Sequence, residues 1–280
     1  MNRIFVCLMT LSCLLTSWPL WADDDVTRIK ESDLTESSGL AASNVKPDRW
    51  WTHNDSGDKA RLFAFSTSGK STGECRLKNV DARDWEDMAS FVDGDTPRLI
   101  VADCGDNNAK HKSIKLYLFD EPNPNRSDTI KDFQTLQVTY DDGPRNCEAV
   151  AVDVRRRKII LIEKALIPYA GIYELDLPSA EQKDQKVVAK RIGSLTIPIV
   201  TAMDLDQSNG DVWIVNYIQA FRFPRASKDQ TLLQQLRILP DPIEIPKWKL
   251  IEAIAVDTGH KAWITSEGES APFGSLKLSK

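Results

Sequence analysis

Glu86, Glu148 and Glu252 open three copies of one short motif, EDMASF, EAVAVD and EAIAVD, while two further copies, SGLAAS from Ser38 and TAMDLD from Thr201, begin with a hydroxyl. Glutamate is not a turn former, so three of them at one register point to a shared task. Carboxylates brought together repel and must be protonated, paired or neutralised by a cation. Hard oxygen ligands in a flexible ring suit calcium. Loops add more oxygen donors: Asp55 and Asp58 in WWTHNDSGD (50–58), Asp103, Asp106 and Asn107 in VADCGDNN (101–108), then Glu163, Asn216, Glu267 and Glu269. The expected metal ligands are Glu86, Glu148, Glu252, Asp103, Asp55 and Asn216, with Ca2+ as the ion. No DxDxDG-type loop is present, so such a site has to be assembled from separate segments. Asp, Asn and Gly also make turns wherever they occur, and NDSGD alone reads as one.

His53, Glu148 and Lys164 are the residues expected to act on a substrate. A histidine beside ionised carboxylates can serve as a general acid or base, although for His53 or His111 taken alone a hydrogen-bonded structural role is the commoner one. Lys164 can pair with Glu163 or Glu148, or hold a substrate carboxylate or phosphate. His260, in the turn TGHK, falls on the opposite face. Ser56 has no nucleophile elbow around it, which argues against an α/β-type serine hydrolase. Trp85, beside Glu86, is expected at the surface, and Trp50, Trp51, Trp213 and Trp263 in the core.

These residues need elements to hold them, and the repeat supplies the elements. The five motif copies are separated by 48, 62, 53 and 51 residues. Each is followed by a second apolar run (49–53, 98–103, 158–163, 211–216, 261–266) and a third (61–65, 115–119, 171–175, 220–223, 275–278). Fourth runs lie at 72–77, 135–140, 187–192 and 232–239. Short alternating runs bounded by Gly, Pro, Asp and Ser are strands, and a fixed period of this length predicts an all-β propeller of five four-stranded blades. A six-bladed count with one degenerate blade and a β-sandwich remain as alternatives. The fifth blade lacks its last strand, and residues 26–30 (VTRIK) are expected to supply it by pairing with 275–278, which removes an open sheet edge. In a propeller the starts of the first strands and the loops between second and third strands share one rim, so the acids above converge there.

Residues 1–22 carry one cation, Arg3, then an apolar stretch, Pro19 and Ala22, the layout of a secretory signal. A single domain over 23–280, exported to a periplasmic or extracellular location, is expected. No later apolar run reaches the roughly 20 residues of a membrane span. The formal charge of −5 becomes −6 without Arg3, an acidic balance that argues against a nucleic-acid partner. Three cysteines remain after the signal, which permits one disulfide, with Cys104 and Cys147 the expected pair and Cys75 left as a thiol.

The stretch from about Glu36 to Lys164, with ESSGLA, WTHNDSGD, DWEDMA, VADCGDN, LYLFDEP and YDDGPRNCEA, resembles a widespread group of bacterial secreted propellers. More distantly the layout is similar to the calcium-dependent gluconolactonase and regucalcin group and to esterase-like phytases. The resemblance implies a propeller and export, and no particular activity. No WD dipeptide closes the third runs, so a WD-repeat protein is not indicated. Two functions follow from the acids: a metal-assisted lactonase, esterase or phosphoesterase, or a monomeric propeller that binds a small molecule, glycan or protein on the same rim without chemistry.

Overall fold

The computed structural model describes residues 26–278. The segment read as an export signal, with Cys7 and Cys13, lies outside the described residues.

The chain forms an all-β propeller in which β1 (Thr27–Arg28) precedes five sets of strands. The first set is β2 (Ser37–Ala42), β3 (Arg49–Asn54), β4 (Arg61–Ser66) and β5 (Ser71–Leu77). The second is β6 (Trp85–Asp93), β7 (Thr96–Asp103) and β8 (Ile114–Asp120), then an inserted β9 (Asp128–Ile130) and β10 (Gln134–Tyr140). The third is β11 (Cys147–Asp153), β12 (Lys158–Glu163), β13 (Ala170–Asp176) and β14 (Gln185–Leu195). The fourth is β15 (Val200–Leu205), β16 (Val212–Asn216) and β17 (Gln219–Phe223), then α1 (Leu232–Leu236) and β18 (Asp241–Glu244). The fifth is β19 (Ile251–Val256), β20 (Ala262–Ser266) and β21 (Pro272–Ser275). The first strands β2, β6, β11, β15 and β19 pack on one another in succession and return to β2, closing a ring.

The apolar runs are continuous because each blade is covered on both faces. In β7, Leu99 and Val101 pack toward the first blade while Ile100 and Ala102 pack toward the third. Every junction between neighbouring blades holds its own buried cluster, with Trp51, Phe63, Phe91, Tyr173, Phe223 and Phe273 among the largest side chains. Burial of this kind contributes about 25 cal/mol per Å2 of apolar surface.

One irregularity repeats five times. Where each first strand meets its second, the pairing skips a residue: Trp85 faces Asp103 but Asp87 faces Ala102, and the same slip surrounds Glu148, Thr201, Glu252 and the Ser38–Gly39 step. A β-bulge re-aims a side chain and bends its strand. Here it falls on the register occupied by the three glutamates.

Several sequence expectations are corrected. Residues 232–236 form a helix, because Thr231 and Gln234 cap it reciprocally and Leu232 and Leu236, four apart, bury one face; the fourth strand of that set is β18. The N-terminal strand does pair with the last blade, but through Thr27↔Phe273 and Arg28↔Pro272, since the third strand there runs over 272–275. β9 adds in parallel to β5, and β14 pairs in parallel with β10, so outer strands join neighbouring blades. Trp85 is buried at 1% exposure, stacked edge-on against His53. Trp50, Trp51 and Trp213 are core residues, whereas Trp263 is only partly buried, packed against the cluster between the fifth and first blades. No helix among the described residues is long and apolar enough to cross a membrane.

Candidate functional site

The bulges bring Glu86, Glu148 and Glu252, all nearly buried, to one mouth of the ring. Glu86 lies beside Glu148, and burial together with that neighbour pushes its pKa far up. Space for it exists because residue 105 is glycine: a Cβ there would lie 2.1 Å from Glu86 Oε1 and 2.4 Å from Asp84 Oδ2. Two sets of three carboxylates can each offer oxygens within 4.8 Å of one another, Asp55 with Asp84 and Glu86, and Asp55 with Glu252 and Glu267. Asp55 belongs to both. Burial, and then the surrounding Asp84, Glu252 and Glu148, raise its pKa to about 7 against the pull of the Ser56 amide. Burial and Glu252 raise Glu267 to about 8.

Thr201 interrupts the glutamate series in the fourth blade, and Tyr217 fills that side of the mouth. Its hydroxyl donates to Glu252 Oε1 at 2.6 Å and accepts from Lys164 Nζ at 2.9 Å, while Lys164 reaches Glu148 Oε2 at 3.0 Å. Asn146 Nδ2 donates to Glu148 Oε1 at 2.8 Å. The Thr201 hydroxyl instead donates to the Ile251 carbonyl, and that of Ser38 to the Glu86 carbonyl, tying each blade to the next. The mouth is thus a circuit of six carboxyl groups, Asp55, Asp84, Glu86, Glu148, Glu252 and Glu267, with Lys164 and Tyr217 bridging the third, fourth and fifth blades.

The other expected residues sit differently. Asp103 is buried and its Oδ1 accepts the Asp84 amide at 3.0 Å, so it holds the segment that carries Asp84. Asn216 Oδ1 accepts the amides of Ile218 and Gln219, both at 2.9 Å, and its Nδ2 donates to Pro198. That shapes the turn carrying Tyr217. Asn54 does the same for the chain at Thr35 and Glu36. His53 is fully buried, with Nδ1 against the Asn54 carbonyl and Nε2 without a hydrogen-bond partner among the described residues, and burial lowers its pKa to about 4. It is a neutral ring behind the mouth. Asp58 is taken up by Arg61 at 2.8 Å, and His260 meets Asp206 at 2.8 Å.

Sequence reading missed Asp84 and Tyr217. Asp84 stands two residues before Glu86, and Tyr217 directly follows the turn-forming Asn216, but nothing in their spacing shows which blades they face.

No family model and no curated protein sequence matches the chain. Among solved structures, a gluconolactonase of Xanthomonas campestris is similar at 10% identity over 92% of this chain and 96% of that one, with a TM-score of 0.49. The PQQ-bound aldose sugar dehydrogenase of Streptomyces coelicolor is similar at 11% identity over 91% and 98%, with a TM-score of 0.48.

Proposed function

We propose that the protein is an exported, calcium-dependent hydrolase of lactones, esters or phosphoesters, with the acid circuit as its site. The observation that carries this reading is the pair of three-carboxylate groups sharing Asp55, set on bulges and backed by Gly105. Unneutralised, such groups oppose one another and weaken the fold. Asp55, Asp84 and Glu86 would hold one divalent cation, with Glu252 and Glu267 completing the far side. When bound, the ion supplies a Lewis acid for a carbonyl or phosphoryl oxygen.

Glu148 is the general base in this reading. Burial raises its pKa while Lys164 opposes the rise, which leaves a carboxylate able to take a proton from water and return it to a leaving group. Lys164 and Asn146 fix its two oxygens, and Tyr217 links that base to Glu252. Asp103 and Asn216 support the loops, and His53 takes no part at the mouth.

The test compares melting with calcium and with a chelator, since an ion that binds only the folded state raises the melting temperature. Hydrolysis of a lactone and phosphoester panel by wild type and Glu148→Gln accompanies it, with loss of about 100-fold or more expected in the variant. Identical melting curves, with no metal co-purifying, would replace this reading with a non-catalytic one. A specific feature favours that second reading: Leu166, Ile167, Tyr169 and Ile218, on the loops that carry Lys164 and Tyr217, are 83%, 64%, 67% and 77% exposed. Exposed apolar groups beside an acidic mouth fit a protein or glycan partner.

A further inference from the structure

We infer that Cys104 and Cys147 are a thiol–disulfide pair that clamps the second blade to the third beneath the acid circuit. Cys104 follows β7 and Cys147 opens β11, 43 residues on, yet Cys104 Sγ lies 3.0 Å from the Cys147 carbonyl oxygen. Cys147 Sγ lies 3.5 Å from the Ala149 carbonyl oxygen, and both cysteines are free thiols in the structure. Both are buried, at 0% and 1% exposure, inside the apolar cluster between these blades. The buried Tyr140 hydroxyl, in the same cluster, has no hydrogen-bond partner among the described residues. Of three polar groups enclosed among Leu, Ile and Val, the two thiols reach only carbonyl oxygens and the hydroxyl reaches none, and burial is better accommodated when the thiols become one apolar S–S bond.

The Asn146 side chain already ties the two segments together. Its Oδ1 accepts from Asp106 N at 2.7 Å and its Nδ2 donates to Asn107 Oδ1 at 3.2 Å. A bond between the sulfurs therefore joins positions the fold has brought together. The oxidant is a second disulfide, from a disulfide oxidoreductase or glutathione disulfide. One cysteine attacks it and forms a mixed disulfide, releasing the first reduced thiol. The second cysteine then displaces the other. The Cys104–Cys147 bond forms, two protons and two electrons pass to the oxidant, and two thiols leave. Burial places this exchange before the blades close and shields the bond afterwards. Among the described residues the third cysteine is Cys75, which sits on β5 in the first blade, in a separate cluster, with burial raising its pKa to about 11.

Cys147 precedes Glu148 and Cys104 precedes Gly105, so the clamp also sets the spacing between the Glu148 and Glu86 arms. This last consequence rests on the cation reading.

The experiment folds the full chain in a glutathione redox buffer, alkylates free thiols and maps the peptides by mass. A Cys104–Cys147 linked pair with Cys75 alkylated is expected. The oxidised protein should melt several degrees above the reduced one, because the closed loop restricts the unfolded chain. Cys75→Ala should keep that difference, and Cys104→Ala should abolish it. Alkylation of all of Cys75, Cys104 and Cys147 after equilibration with glutathione disulfide, or a peptide linking Cys75 to either partner, would overturn the inference. Calcium should raise the melting temperature more in the oxidised form. If the linked pair is found and calcium moves neither form, the cation reading fails and the clamp stands.

Discussion

Glu86 and Asp87 are neighbours in sequence, both are carboxylic acids and both are buried, yet they face opposite circumstances. Asp87 accepts amides from Met88 at 2.9 Å, Val150 at 2.8 Å and Met203 at 3.3 Å, three donors on the first strands of three blades. Asp204 does the same on a smaller scale, taking Leu205 at 2.8 Å and Val256 at 2.7 Å. Glu86 has another carboxyl group beside it and further acids beyond. The bulge between Trp85 and Asp87 makes the difference, turning one acid to the mouth and the next to the unpaired edges of the ring. A satisfied buried acid is a structural brace, and an acid facing acids is what the proposed cation site is built from.

The contrast is broken most severely at Asp87. Asp87→Ala leaves three buried amides without acceptors and should cost about 3 to 5 kcal/mol, read as a large fall in melting temperature that calcium does not repair. An unchanged melting curve would show that these amides find other partners. Glu86→Gln should do the reverse. The neutral amide resembles the protonated acid that burial favours, so calcium-free stability should stay within about 1 kcal/mol, while calcium affinity falls tenfold or more by titration of the melting shift.

pH sharpens the same comparison. Asp55 at about 7, Glu267 at about 8 and Asp204 at about 7 all lie above their ordinary values. The folded state therefore holds their protons more tightly, and their contribution is present at low pH and lost as pH rises through 7 and 8. His53, lowered to about 4, acts oppositely, and its contribution is lost as pH falls from about 6.5 through 4. Because three raised acids outweigh the one lowered histidine, metal-free protein should lose stability as pH rises from about 5 to 8 and melt several degrees lower at pH 9 than at pH 5. Calcium should remove the part due to Asp55 and Glu267 and leave the part due to Asp204. A calcium-free melting curve that is flat over this range would remove the distinction between the two kinds of acid. The smallest effect belongs to Asn216→Ala, which loses a turn and should cost about 1 kcal/mol without altering the calcium response; a changed response would make Asn216 a ligand.

The strand pattern was legible because each first, second and third strand is covered on both faces, so runs such as IILI in β12 and LIVA in β7 stand out from the polar turns between them. The register of Glu86, Glu148 and Glu252 was legible for the same reason, since a repeated blade writes the same position again at each turn of the ring. The helix at 232–236 was not, because an apolar run of this length fits either period until Thr231 and Gln234 are seen to cap it. Trp85 read as exposed because it stands among Arg83, Asp84, Glu86 and Asp87, polar types that usually lie at a surface, whereas here Glu86 and Asp87 are buried with it and the bulge sends successive side chains to different places.

What the sequence determined by itself is the all-β repeat, the acidic register and the presence of a spare N-terminal strand, each a property of local order that survives without knowing which blade faces which. Only the tertiary structure decided that Asp55 belongs with Asp84, Glu86, Glu252 and Glu267, that Tyr217 stands where Thr201 leaves a gap, and that Asn216 and Asp103 serve loops. Those groupings join residues up to 212 positions apart, from Asp55 to Glu267. The closure of the ring creates them, and no spacing along the chain encodes a distance across its centre.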